Sequence, residues 1–136
     1  MGIALMQLSR RLRQRAYNRF AVPGATVSCV VTEKKPFPVE TCPLSDIDRG
    51  GLSFLTNYSP AVGSEINLIV SPPSLTESFE LCGHVIYAIS RGPGLTYGYR
   101  VGVELKPFTR SGDGNSIQSL NAIKTLEQTY DKRGHK

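Results

Sequence analysis

The sequence predicts an all-β domain closed into a small barrel, with helices only at its two ends. Three observations carry that expectation: short runs in which apolar and polar residues alternate with period two, turn residues between those runs, and helical periodicity confined to the termini. A chain of 136 residues, 40% hydrophobic and 20% charged, fits one domain with one core. That single domain is expected to comprise a basic N-terminal arm (1–20), a β-barrel (21–109) and a C-terminal helix (113–131).

The elements follow in order. Leu5, Leu8 and Leu12 recur at helical spacing, so a short basic helix is expected in the arm, and Val22-Pro23-Gly24 ends it. Residues Ala25 to Thr32 are mostly β-branched and read as the first strand, with Val39–Cys42 a second after the polar Lys34-Lys35-Pro36 turn. Leu44 to Gly51 is rich in turn formers and reads as an insertion leading into the apolar strand Leu52–Leu55. Ile66, Leu68 and Val70 mark a half-buried strand that Pro72-Pro73 terminates. Phe79, Leu81, Gly83, Val85 and Tyr87 are expected on one face of the next. Tyr97, Tyr99, Val101, Val103 and Leu105 share a face in the last, and Gly92-Pro93-Gly94 joins these two strands as a hairpin. The loop 111–115 supplies capping residues for a helix whose apolar positions are Ile117, Leu120, Ile123 and Leu126.

Sixteen Lys+Arg against eleven Asp+Glu give a formal charge of +5, which favours an anionic partner. Arg10, Arg11, Arg13, Arg15 and Arg19 crowd together ahead of the first strand. The three cysteines, Cys29, Cys42 and Cys82, lack C-x-x-C spacing and read as thiols in a reducing compartment rather than as a disulfide framework or a zinc site. No apolar run approaches the roughly 20 residues a membrane-spanning helix needs, and the chain is expected to be cytoplasmic.

Two short patterns stand out together: Arg15-x-x-x-Arg19 and, a strand later, Asp46-x-Asp48-x-x-Gly51. The pairing resembles the PilZ domain family, whose pattern is R-x-x-x-R followed by [D/N]-x-[S/A]-x-x-G. Gly51-Leu52-Ser53-Phe54, Gly83-His84-Val85-Ile86-Tyr87 and Gly102-Val103-Glu104-Leu105 resemble strands of that family, so the likeness spans Arg15 to Phe108. It implies a six-stranded antiparallel barrel that binds the bacterial second messenger cyclic di-GMP, moves its N-terminal arm in response, and so signals to a protein partner. Asp48 departs from the family's Ser or Ala, placing a second carboxylate beside the phosphates.

The residues suit that ligand on chemical grounds. A guanidinium fork matches both a phosphodiester and the O6/N7 edge of guanine. Arg15 and Arg19 are the expected anchors, with Arg11 and Arg49 as neighbouring cations. Asp46 would accept from guanine N1–H and N2–H₂. Gly50 and Gly51 would allow close approach and offer backbone N–H donors, and Tyr87 would stack on a base at the barrel rim. The groups are expected to converge at the mouth of the barrel.

Other readings carry less. Asp46 and Asp48 on their own would suit an Asx turn, and a D-x-D metal site lacks a partnering His or Glu. His84, on an alternating strand, reads as a wall residue. No catalytic grouping emerges, so no enzyme and no cofactor are expected. The alternative within the family is a ligand-independent interaction module. A single-stranded nucleic-acid barrel is disfavoured by 8% aromatic content without tryptophan.

Overall fold

A computed structural model describes residues 18–31, 40–73 and 77–131. Six strands, β1 (Thr26–Val31), β2 (Glu40–Ile47), β3 (Gly51–Thr56), β4 (Glu65–Ser71), β5 (Phe79–Ser90) and β6 (Tyr99–Leu105), precede one helix, α1 (Ile117–Tyr130). The strands close into a barrel in the order β1-β2-β3-β6-β5-β4, every neighbouring pair antiparallel. The seam is β1 on β4, in register from Thr26↔Ser71 to Val31↔Ile66. Closure removes sheet edges, so each strand's backbone groups find partners on both sides.

Period-two alternation decides which side chains fill the interior. In β4, Ile66, Leu68 and Val70 are buried while Asn67 and Ile69 are exposed. Phe54 from β3, Val85 from β5 and Val101 and Val103 from β6 complete the same core, none more than 1% exposed. Each buried apolar side chain of this size contributes about 1.5–3 kcal/mol. Cys29 and Cys42 lie within this core as thiols, and Cys82 is half-buried.

Two strands break the alternation. Leu44 pairs with Phe54 but Asp46 pairs with Ser53, so Ser45 is an extra residue in β2. Val85 pairs with Val103 but Tyr87 pairs with Gly102, making Ile86 an extra residue in β5. Each bulge reverses the side-chain parity beyond it. Leu44 and Ile47 both point inward, leaving Asp46 on the outside, and Tyr87 leaves the face it would otherwise share with Leu81 and Val85. Tyr87 was expected to share a face with Leu81 and Val85, and the bulge at Ile86 is what separates it from them.

The β5–β6 hairpin forms as expected, with Gly92 and Gly94 at φ of 97° and 83°. β6 starts at Tyr99, leaving Tyr97 in the turn. Residues 44–47, expected within a turn-rich insertion, belong to β2, because Leu44 and Ile47 gain burial there. Only the segment from Asp48 to Gly51 turns. α1 begins at Ile117 rather than at 113, capped by Ser116, whose hydroxyl accepts from the Ser119 N–H at 3.0 Å. Residues 113–116 stay outside the helix because the Asn115 side chain is occupied with the Cys82 N–H (2.7 Å) and with the Cys82 and Lys106 carbonyls (2.9 and 2.8 Å). The helix buries Ser119, Ile123 and Leu126, with Ile117 and Leu120 only half-covered. Ser119 Oγ donates to the Glu80 carbonyl at 2.6 Å, docking the helix on β5. The helix expected before Tyr17 lies outside the described residues.

Candidate functional site on the outer wall

The described segment before β1 is bridged to the barrel at Phe20. Phe20 and Ile47 exchange two backbone hydrogen bonds of 3.0 Å, and the Phe20 and Val22 side chains are buried. That bridge sets Arg19 beside the end of β2. Its Nη1 lies 3.4 Å from Asp46 Oδ1 and its Nε 3.4 Å from Asp48 Oδ2. The guanidinium also covers Gly51: a Cβ there would sit 2.8 Å from Arg19 Nη2 and 2.6 Å from the Val103 carbonyl oxygen. Glycine is thus required by the packing of the wall as well as by the arginine.

The turn closes with the Asp48 N–H donating to the Gly51 carbonyl at 2.8 Å. Asp48 Oδ1 accepts from the N–H groups of Gly50 (2.7 Å) and Gly51 (2.8 Å). These two donors were expected to face a ligand; in the structure the turn's own carboxylate takes them. Asp48 is 1% exposed, and burial holds its pKa above the usual 3.8, opposed by the Gly50 N–H, the Arg19 charge and the Gly51 N–H. Asp48 therefore pairs with Arg19. Arg49 turns the other way, to a bidentate ion pair with Glu127 of α1 in which Nε–Oε2 and Nη2–Oε1 are both 2.8 Å.

Asp46 is the junction of the site. Its Oδ1 accepts from Ser53 Oγ at 2.7 Å, and its Oδ2 from Arg100 Nη2 at 3.2 Å. Arg100 Nη2 also donates to Ser53 Oγ at 3.2 Å. Strand pairing makes the arrangement a row: Asp46 opposes Ser53, Ser53 opposes Gly102, and Gly102 opposes Tyr87. Neighbouring members sit about 4.8 Å apart along the sheet. Because Gly102 has no side chain, the Tyr87 ring fills the space above it, where a Cβ would lie within 2.1 Å of a ring carbon. Arg19, over Gly51, borders the row on one side. Arg100, two residues before Gly102 and paired with Leu55, borders it on the other.

Of the residues expected to bind a ligand, Arg19, Asp46, Asp48, Gly50 and Gly51 are together, and Tyr87 stands on the same wall. Arg11 and Arg15 lie outside the described residues. Arg49 is engaged by the helix. The location is a correction: the groups meet on the outer wall across β2, β3, β6 and β5 and not at the barrel mouth, because both bulges aim them outward. Arg100, Ser53 and Gly102 were missed. Alternation in β6 already put Arg100 outward, but which strand faces β6 is a matter of long-range pairing.

A separate concavity lies elsewhere. An open cleft of about 980 Å³ runs between β5 and the start of α1, lined in part by Asn67, Glu77, Glu80, Cys82, Ser116 and Gln118. Among the described residues, its lining carries Glu77 and Glu80 and neither Lys nor Arg. On the outer wall the guanidinium groups of Arg19 and Arg100 meet the carboxylates of Asp46 and Asp48, so oriented donors and acceptors stand side by side. Among the described residues no cluster of His, Cys, Asp and Glu is arranged to hold a metal, and no helix is long and apolar enough to cross a membrane. No protein-family model matches the chain, and a search of curated proteins finds no match.

Proposed function

We propose that the domain is a cyclic di-GMP receptor of the PilZ type, a binding module and not an enzyme, whose ligand lies on the outer wall between Arg19 and Tyr87. One observation carries the proposal: Arg19, from the first motif, rests against Asp46, Asp48 and Gly51, all from the second, 27 or more residues later. Two patterns that are individually weak become one constellation. In this reading Arg19 grips a phosphodiester, Asp46 takes guanine N–H donors, and the Tyr87 ring stacks on a base. Arg15 and Arg11, preceding Arg19, would add further cations, and a change in arm position would present a changed surface to a downstream protein.

Titration calorimetry tests this directly. Cyclic di-GMP is expected to bind the full chain, and Arg19→Ala to weaken binding by about 30-fold or more, as expected for truncating one partner of a desolvated charge pair. Absence of heat from folded protein at low salt would end the reading.

A second reading is favoured by a specific feature. Asp48 already supplies the negative charge that the Gly50 and Gly51 N–H groups and Arg19 would offer a ligand. In a ligand-independent interaction module this internal pairing would be permanent. Asp48→Ser separates the two: in a receptor it tightens cyclic di-GMP binding by removing like-charge repulsion, and in a ligand-independent module it leaves binding absent.

A further inference from the structure

We infer that Arg100 is the base-reading residue of this wall, donating to the O6/N7 acceptor edge of a guanine stacked on Tyr87. The inference rests on the receptor reading above and extends it to a residue outside both sequence motifs.

Placement comes first. Arg100 and Gly102 are alternate residues of β6 and share its outer face, with Val101 between them fully buried. Gly102 carries the Tyr87 ring, so Arg100 stands one strand step, about 7 Å, from the ring's seat. A planar base resting on that ring reaches the guanidinium with its edge.

Orientation comes second. Long arginine side chains at a surface normally sample many rotamers. Arg100 is held instead, with Nη2 fixed by Asp46 Oδ2 and by Ser53 Oγ, and Ser53 is fully buried although it lies on the outward face. Its contacts among the described residues run through Nη2, while its side chain is still 45% exposed. Nε–H and the Nη1 hydrogens therefore point past the pair as oriented donors, and donors select for acceptors. Guanine presents O6 and N7 together on one edge, whereas adenine presents N7 beside an N6 amino donor.

The far end of the row supports this role: Asp46 Oδ2, 3.2 Å from Arg100 Nη2, holds the guanidinium that meets the base. Arg19 remains on the Gly51 side for the phosphodiester.

The test compares cyclic di-GMP with its 7-deaza analogue, which lacks the N7 acceptor and keeps the N1/N2 edge. Both are titrated into wild type, Arg100→Ala and Arg100→Lys, with circular dichroism as the check on folding. Wild type is expected to prefer the parent nucleotide by about fivefold or more, Arg100→Ala to bind both equally, and Arg100→Lys to regain part of the preference. If Arg100 merely orients Asp46, the variant keeps the N7 preference, and the inference fails while the receptor reading stands. A wild type without N7 preference overturns the inference in the same way. A wild type that binds neither nucleotide overturns both.

Discussion

At the Asp48 carboxyl, burial and pairing act in opposite directions. Burial raises its pKa above 3.8, while two backbone N–H groups and Arg19 pull it back. A raised acid makes its full contribution to stability below the unfolded value and loses it as the pH rises through the folded value. Asp48→Asn keeps an Oδ1 acceptor for Gly50 and Gly51 and removes the titration. Urea unfolding across pH is expected to show wild type losing stability relative to Asp48→Asn as the pH rises above about 3.8, until Asp48 is ionised. A difference independent of pH contradicts the role given to burial. At Gly102 the constraint is steric: Gly102→Ala forces the Tyr87 ring off its seat and is expected to cost about 1–3 kcal/mol by overpacking, measured by thermal unfolding. Unchanged stability would mean the ring moves freely. That Arg19, Asp46, Asp48 and Gly51 belong together was legible from the two spaced patterns, and the structure brings these four into contact. Arg100 and Gly102 were not, since their importance comes from neighbours on other strands.

Among the elements, the two bulges build the site. Ser45 and Ile86 are ordinary strand residues that do not themselves announce a break, so strict alternation placed Tyr87 on the same face as Val85. Alternation did identify β4 and the hairpin of β5 and β6, where burial of one face imposes it. It failed in β2, whose Pro43, Ser45, Asp46 and Asp48 look like a loop because turn formers and outward-facing wall residues share the same polar chemistry. Deleting Ser45 would leave Asp46 directly after Leu44 and still opposite Ser53 on the outer face, so the row would survive while the local kink is lost. The β2–β3 turn is also tied to α1 by Arg49 and Glu127. A double-mutant cycle on Arg49→Ala and Glu127→Ala should give a coupling of roughly 0.5–1 kcal/mol, since the pair is bidentate but partly solvated. Zero coupling would detach the helix from the turn.

For the molecule as a whole, closure of the barrel is what makes an outer-wall site possible. Buried apolar side chains occupy the interior, and the proposed site uses the outside of the β2-β3-β6-β5 panel. The formal charge of +5 favours anions in general, and this panel adds guanidinium donors held in orientation by Asp46. Two candidate places then compete, the panel and the cleft beside α1, and they differ in charge and in residues. Amide chemical-shift mapping during titration with cyclic di-GMP separates them in one experiment. Perturbations are expected at Asp46, the turn from Asp48 to Gly51, Ser53, Tyr87 and Gly102. Shifts confined to Glu77–Cys82 and Ser116–Ser119, or none at saturating nucleotide, would contradict the assignment of the site.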